Sequence, residues 1–243
     1  MEEVEGIIIS TACYSETSKI LNILTKKYGL IGVLAKGARS LKSPLRSFTD
    51  RLSYANFMIK YKEDKLSILT EVNIINPFKE IRKDINKISY STYLLELAEG
   101  VCRQNNSTDV YDLLIATLKK IEEGFDPLIL MNILELKYLD YLGVMPVIDK
   151  CTSCGRKNGI VTLSSFRGGY VCQNCYKGEF IVSDKTIKLV RMFCYVDISK
   201  ISKLDISKNS KIEINNFLDD YYDRYTGLYL KSKNFIRNLQ KIS

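Results

Sequence analysis

The first third of the chain alternates short apolar runs with turn-forming residues, a pattern that is typical of β-strands. The runs cover residues 6–10, 19–25, 30–35, 53–61 and 66–72. Residues 19–25 would also fit a helix, and periodicity alone leaves that segment open. In the run 53–61, Phe57, Ile59 and Tyr61 share one face. Five strands in about 70 residues predict a small closed barrel such as an OB-fold, because closure hides the strand edges.

From Pro77 onward the apolar residues follow helical spacing. Helices are predicted over residues 78–103, from the Thr108-Asp109 pair to about 124, over 127–142, after the Ser183-Asp184 cap, and over 212–225 and 228–242. A loop rich in serine and lysine is predicted over 197–211. The apolar stripes of the predicted helices indicate that these helices share one core. The predicted fold is α+β, with an N-terminal OB-fold barrel domain (1–76), a helical domain (77–148 and 179–243) and a separate cysteine-containing segment (149–178).

Four of the seven cysteines stand in two Cys-x-x-Cys pairs separated by seventeen residues, namely Cys151, Cys154, Cys172 and Cys175. This spacing lets the backbone fold each pair around one tetrahedral ion, and Gly168-Gly169 supports a hairpin between the pairs. The chain has no histidine. The simplest interpretation is therefore one closed, structural Zn²⁺ site without a catalytic role. Two redox dithiols or two disulfides are the competing interpretations.

Positive charge is concentrated in the barrel region. The chain carries a net charge of +8, whereas residues 19–62 alone hold ten basic residues and one acidic residue. The densest part is the basic loop, residues 36–46, whose Gly, Ser and Pro content favours an irregular structure that can follow a phosphate backbone. The candidate nucleic-acid-binding residues are Lys36, Arg39, Lys42, Arg46, Lys19, Lys26 and Lys27.

Aromatic residues are interleaved with these cations, and they permit two interpretations. They can stack on the bases of a single strand, or they can fill the barrel while the cations remain on its solvated surface. The residues concerned are Tyr28, Phe48, Tyr54, Phe57 and Tyr61.

Motifs for catalysis are absent from the sequence: it has no phosphate-binding Gly-Lys loop, no dinucleotide fingerprint and no nucleophile elbow. The carboxylates Asp219, Asp220 and Asp223 can in principle hold Mg²⁺, but a solvated helix face explains them better. We therefore expect no enzyme activity and no small-molecule substrate. The acidic N-terminus and the lack of a long apolar run predict a cytoplasmic protein without a membrane span.

Several motifs together resemble the RecO family of bacterial DNA repair proteins. They are GIII from residue 6, YSETSKI from 14, YG at 28, AKGAR from 35, LG at 142, Pro146, the four cysteines, GG at 168 and LKS from 230. The resemblance implies an N-terminal OB-fold, a helical body and a zinc segment, although some family members lack the cysteines. Lys36 and Arg39 match the basic loop of the family, which implies DNA contact there.

The same resemblance implies a non-catalytic recombination mediator associated with the nucleoid. Such a protein binds single- and double-stranded DNA, anneals complementary strands, and acts with RecR and single-stranded-DNA-binding protein (SSB) to help load RecA. No motif marks a RecR or SSB contact in this chain. The alternative function is a zinc-ribbon interaction module that binds RNA or an acidic protein. A metal-dependent nuclease has the least support from the sequence.

Overall fold

The structure is a computed structural model that describes the backbone of residues 1–242 and the side chains of residues 1–238. Its Cα positions form two compact units. The first comprises Met1–Gly124 and the segment from Leu230 onward, and the second comprises Phe125–Tyr229. The domain boundaries predicted from the sequence stay predictions, and the last predicted residue, Ser243, lies outside the described part.

The first unit contains a closed five-stranded barrel, as the alternating pattern predicted. Its strands are β1 (Glu2–Cys13), β2 (Lys19–Thr25), β3 (Gly29–Ala35), β4 (Tyr54–Lys60) and β5 (Ser67–Asn76). They follow the OB-fold order β1-β2-β3-β5-β4, in which β3 and β5 are parallel. The long β1 closes the barrel, because its first half pairs with β4 and its second half with β2. The segment 19–25, which the sequence left open, is a strand.

The barrel core follows the two-residue alternation of its strands. Phe57 and Ile59 point inward and are fully buried, whereas Met58 between them is partly exposed. Leu21 and Ile23 repeat the pattern on β2. The predicted inward face of β4 is confirmed, and the apolar side chains of all five strands meet in one core.

The described residues contain seven α-helices. They are α1 (Lys79–Lys83), α2 (Ile85–Gln104), α3 (Asp109–Glu122), α4 (Pro127–Tyr141), α5 (Asp184–Tyr195), α6 (Lys208–Tyr225) and α7 (Lys231–Ile242). In the first unit, α2 packs against α1, α3 and α7. Within the described residues, none of these helices is both long and apolar enough to cross a membrane.

The prediction of one helix over residues 78–103 is wrong, because the chain breaks at Asp84. This residue adopts an extended conformation, and its carboxylate accepts hydrogen bonds from the N–H groups of Asn86 and Lys87 at 2.8 and 3.1 Å. An N-terminal cap of this kind starts a new helix. The apolar spacing continued across the break, but Ile81 is buried while Ile85 is 66% exposed.

The boundaries of the last two helices also differ from the prediction. Helix α6 begins at Lys208 rather than 212, because the hydroxyl of Ser207 caps the N–H of Ser210 at 3.3 Å. Helix α7 begins at Lys231 rather than 228. The Glu96 carboxylate of α2 accepts from the N–H groups of Lys231 and Ser232 at 2.8 and 2.9 Å, which fixes that start.

In the second unit, α4 packs against α5 and α6, and a two-stranded hairpin packs against α5. The hairpin strands are β6 (Ile160–Ser164) and β7 (Gly169–Cys172). The Tyr222 hydroxyl of α6 donates to the carbonyl oxygen of Glu135 in α4 at 2.8 Å, inside the helical core. The hairpin predicted around Gly168-Gly169 is therefore confirmed, and it lies between the two cysteine pairs.

Candidate nucleic-acid interface and metal centre

The basic loop leaves β3 and folds into consecutive tight turns. Its backbone N–H groups at Ser40, Ser43 and Arg46 each donate to the carbonyl oxygen three residues earlier, at 3.0, 3.1 and 3.2 Å. These bonds hold the loop backbone in a compact conformation, and the side chains of Lys36, Arg39, Lys42 and Arg46 are exposed. A compact loop with outward cations is suited to contact phosphates.

The turn between β1 and β2 supports this loop. The backbone N–H of Arg39 donates to the carbonyl oxygen of Thr17 at 2.8 Å, and its guanidinium donates to that of Ser15 at 2.6 Å. β1 pairs with β4 only as far as Ile7, so the later part of β1 and this turn extend past the β1–β4 ladder. Arg39 is therefore both a surface cation and a tie between two loops.

Lys19 lies at the same end of the barrel, because it pairs with Ala35 at the end of β3. We call this the loop end. The Lys19 ammonium forms an ion pair with Asp50 at 2.8 Å and donates to the carbonyl oxygen of Thr49 at 3.4 Å. Asp50 thus offsets the charge of Lys19, while no carboxylate partner is described for the four cations of the basic loop.

Lys26 and Lys27 lie at the opposite end, because Thr25 pairs with Gly29 in the β2–β3 turn. Seven residues of β2 separate the two ends, which corresponds to about 20 Å of strand. Lys27 forms an ion pair with Glu2 at 2.9 Å and lies over the Tyr28 ring. Hydrogen bonding with Tyr28 and Glu2 raises the pKa of Lys27 above its usual value. The structure therefore gathers five of the seven candidate cations and separates these two.

Most of the interleaved aromatic residues belong to the core. Tyr54 and Phe57 are buried, and Tyr28 stacks on Tyr61 with ring centroids 4.1 Å apart. Phe48 differs, since its side chain is 38% exposed just beyond the basic loop. Sequence reasoning used Tyr14 only as part of a family motif, and its side chain is 59% exposed at the start of the β1–β2 turn.

A pocket of about 460 Å³ lies beside Phe48 in the first unit. Three cations that the sequence analysis missed line it, namely Lys79, Arg82 and Lys83 of α1. The apolar spacing placed this segment in the predicted helix 78–103, although its sequence KEIRK holds three cations.

The second candidate site is the cluster of Cys151, Cys154, Cys172 and Cys175. All four sulfur atoms lie within 4.8 Å of one another, and those of Cys154 and Cys172 are 3.6 Å apart. Cys151 and Cys172 are buried, whereas Cys154 is exposed. Four sulfurs at these distances can contact one metal ion, as the spacing predicted.

Backbone geometry brings the two cysteine pairs together. The N–H of Cys172 donates to the sulfur of Cys151 at 3.4 Å, so the second pair faces the first directly. Val147 pairs with Gly169 on the hairpin, and the N–H of Thr152 donates to the carbonyl oxygen of Tyr170 at 2.8 Å. These hydrogen bonds attach the segment around the first cysteine pair, residues 147–152, to strand β7 of the hairpin.

Arg167 links the loops around the cluster. Its guanidinium forms an ion pair with Glu179 at 3.0 Å and donates to the hydroxyl of Ser153 at 3.0 Å. Ser153 lies inside the first cysteine pair, and Glu179 follows the second. A single side chain in the hairpin turn thus joins both flanks of the site.

The local environment also differentiates the thiols. Burial raises the pKa of Cys151, but the N–H groups of Cys172, Cys154 and Ser153 favour the thiolate and bring the pKa down to about 6. Hydrogen bonding with Cys154 and Cys172 raises the pKa of Cys175 to about 12. N–H groups that point at a sulfur stabilise the negative form that binds metals.

Comparison with known proteins identifies the family. The model of the Recombination protein O N-terminal domain matches residues 1–78, and that of its C-terminal domain matches residues 82–234. The chain belongs to the RecO family. The two matches leave only 79–81, within α1, between them, so the first covers the barrel of this RecO family member and the second covers the cysteine cluster.

Full-length relatives agree with this assignment. A protein of Bacillus pumilus (strain SAFR-032) named DNA repair protein RecO is 35% identical over 242 residues, which cover 98% of this chain and 94% of the relative. The protein of the same name from Listeria monocytogenes serotype 4a (strain HCC23) is 34% identical, covering 99% and 96%. That of Bacillus subtilis (strain 168) is 30% identical, covering 100% and 96%. The resemblance stated from the motifs is confirmed.

Proposed function

We propose that this RecO family protein is a DNA repair and recombination mediator. It binds single- and double-stranded DNA, anneals complementary strands, and acts with RecR and SSB to help load RecA on SSB-coated single strands. The observation that carries the proposal is the grouping of Lys19, Lys36, Arg39, Lys42 and Arg46 at the loop end of an OB-fold barrel. Family membership and the names of the full-length relatives support the repair role.

The mechanism is electrostatic. Two complementary strands repel each other through their phosphates, so a surface that neutralises several phosphates lowers the barrier to pairing. The outward cations of the basic loop suit this task, because they contact the backbone and carry no sequence preference. Annealing breaks and forms no covalent bond, which agrees with a chain that lacks histidine and the usual catalytic motifs.

The cysteine cluster is proposed to hold one structural Zn²⁺. A tetrahedral site with Zn–S bonds of 2.3 Å requires sulfur atoms about 3.8 Å apart. The Cys154–Cys172 distance of 3.6 Å is close to that value. Zn²⁺ bound by four thiolates has no position left for water or substrate, so its role is to hold the cysteine pairs and the hairpin together.

The partners RecR, SSB and RecA come from the family and are not assigned to residues of this chain. A protein that works on SSB-coated DNA acts in the bacterial cytoplasm at the nucleoid, and we propose this location. DNA and other proteins are then its ligands, without a small-molecule substrate.

The test is annealing of complementary oligonucleotides that are coated with SSB, measured over a series of salt concentrations. If five cations engage single-stranded DNA, log affinity should fall with log salt with a slope of about −3.5. Replacing Lys36, Arg39, Lys42 and Arg46 with glutamine should flatten that slope and slow annealing.

A charge-matched control replaces four exposed lysines of the second unit with glutamine, namely Lys185, Lys188, Lys203 and Lys208. This control should anneal strands like the wild type, because it lowers the net charge by the same amount but leaves the basic loop unchanged. Equal slopes for the two variants would move the DNA surface away from the basic loop. No acceleration by the folded wild type, or a preference for RNA, would favour an interaction module instead.

A further inference from the structure

The pocket beside Phe48 continues the basic loop. Arg46, the last cation of that loop, is followed directly by Ser47 and Phe48, which form one wall. Ser53, which directly precedes β4, and Ile74, near the end of β5, also line the pocket, together with residues of α1. Its volume of about 460 Å³ is within the range of pockets that hold small organic groups.

The lining combines an apolar surface with positive charge. Phe48 and Ile74 are 38% and 37% exposed, so each offers a face to a ligand. Lys79, Arg82 and Lys83 supply three cations, and no carboxylate is among the lining residues. Glu80, which follows Lys79 in the sequence, forms an ion pair with Lys83 at 2.8 Å and therefore offsets part of the positive charge of the pocket.

Arg82 is held in position before any ligand arrives. Its Nε donates to the carbonyl oxygen of Pro77 at 3.0 Å, and one terminal nitrogen donates to that of Arg51 at 3.3 Å. A guanidinium has five N–H groups, so these two bonds fix its plane and leave others for an anion. Fixing a long side chain in advance reduces the entropy that binding would cost.

We propose that this pocket receives one nucleotide of a bound single strand. Its base lies against Phe48 and Ile74, while Lys79, Arg82 and Lys83 contact the flanking phosphates. A single strand of nucleic acid combines an exposed flat base with negative charge, whereas a duplex keeps its bases stacked inside, and the proposed function makes that strand DNA. The inference rests on the proposed DNA binding and adds α1 to the DNA surface.

The chain contains no tryptophan, which makes the test specific. The Phe48→Trp variant carries a single tryptophan in the pocket, and stacking of a base on it should quench its fluorescence as oligo(dT) is added. The control is Phe235→Trp on α7, at a position that is 51% exposed and outside the pocket. Its fluorescence should stay constant while the anisotropy of a labelled oligonucleotide reports binding.

A second measurement separates base contact from phosphate contact. Phe48→Ala should weaken oligo(dT) binding about fivefold or more, the usual range for one lost base–aromatic stack. It should leave binding of an abasic strand of equal length unchanged. Arg82→Gln should weaken both strands, whereas Lys65→Gln, in the turn at the far end of the β4–β5 hairpin, should weaken neither.

The outcomes separate the two proposals. Quenching in Phe48→Trp alone, with a loss confined to the base-bearing strand in Phe48→Ala, supports the pocket. Binding of oligo(dT) without quenching overturns the pocket and leaves DNA binding at the basic loop intact. Absence of any anisotropy change with the folded wild type overturns both.

Discussion

The guanidinium of Arg39 donates a hydrogen bond to the carbonyl oxygen of Ser15, with a donor–acceptor distance of 2.6 Å. This bond joins the basic loop to the β1–β2 turn. Arg39 therefore helps to hold the loop in place, whereas the described contacts include no such bond for Lys42, three residues later. Arg39 and Lys42 carry the same charge and both side chains are exposed, so substituting each in turn can separate the shape of the loop from its charge.

Replacing Lys42 with alanine should lower the salt dependence of single-stranded DNA binding by about 0.7, the contribution of one phosphate contact. Arg39→Ala should lower it equally and should also weaken binding at every salt concentration by about 1 kcal/mol, because the loop loses its tie. Arg39→Lys should restore the slope. Titrations of a labelled oligonucleotide at several salt concentrations measure both quantities, and identical affinities for the two alanine variants would contradict a role for the Ser15 bond.

Loss of a cysteine ligand should release the proposed Zn²⁺ ion and destabilise the second unit. Cys151→Ser is expected to lower the free energy of unfolding by about 3 kcal/mol or more, or roughly 10 °C in Tm, because binding of a structural ion is part of folding. The matched control is Cys13→Ser, at an exposed cysteine of β1 outside the cluster. Elemental analysis and thermal unfolding measure both variants.

DNA binding should not depend on the cysteine cluster. Oligonucleotide affinity of Cys151→Ser should match the wild type below its Tm, since the basic loop belongs to the barrel. Metal-free wild-type protein with four reduced thiols and an unchanged Tm would contradict the structural role of the ion.

Most of the fold could be predicted from local sequence patterns. Strand alternation predicted the barrel and the cysteine spacing predicted the cluster, because each strand and each Cys-x-x-Cys pair is defined by residues close together in the sequence. The break at Asp84 was hidden because apolar spacing continued through it. The pocket at Phe48 could not be predicted, since Ile74 and Lys79 reach it only after the barrel closes. Likewise, the pairing of Lys19 with Ala35 was needed to place Lys19 beside the start of the basic loop.

Gly169 should tolerate no side chain. A Cβ at this position would lie 2.2 Å from the carbonyl oxygen of Val147, and its φ of +146° is one that other residues rarely adopt. Because the obstacle is backbone, it cannot move aside. Gly169→Ala should therefore cost on the order of 3 kcal/mol.

Gly159→Ala is the matched control for Gly169, since its φ is +68° but nothing lies within 4 Å of a Cβ there. It should cost only about 1 kcal/mol, the penalty for the left-handed conformation. Chemical denaturation compares the two variants, and equal losses would show that conformation rather than contact with Val147 determines the effect.

The start of helix α5 depends on Glu213 of α6, and this dependence should appear as a pH effect. The Glu213 carboxylate accepts hydrogen bonds from the hydroxyls of Ser183 and Thr186 at 3.0 and 2.5 Å and from the Asn209 amide at 2.8 Å. Burial raises the pKa of Glu213, but these donors outweigh burial and hold it below its usual value of 4.5. A lowered pKa in the folded state stabilises the protein fully above pH 4.5, and this contribution is lost as the pH falls through the folded value.

Glu213→Gln should therefore lower the free energy of unfolding by about 1–3 kcal/mol at pH 7, and the difference from the wild type should shrink in acid. Glu63→Gln, an exposed carboxylate in the β4–β5 turn, is the control and should match the wild type at each pH. Thermal unfolding between pH 3 and 8 measures the difference, and a gap that is constant across this range would show that the charge of Glu213 does not stabilise the fold.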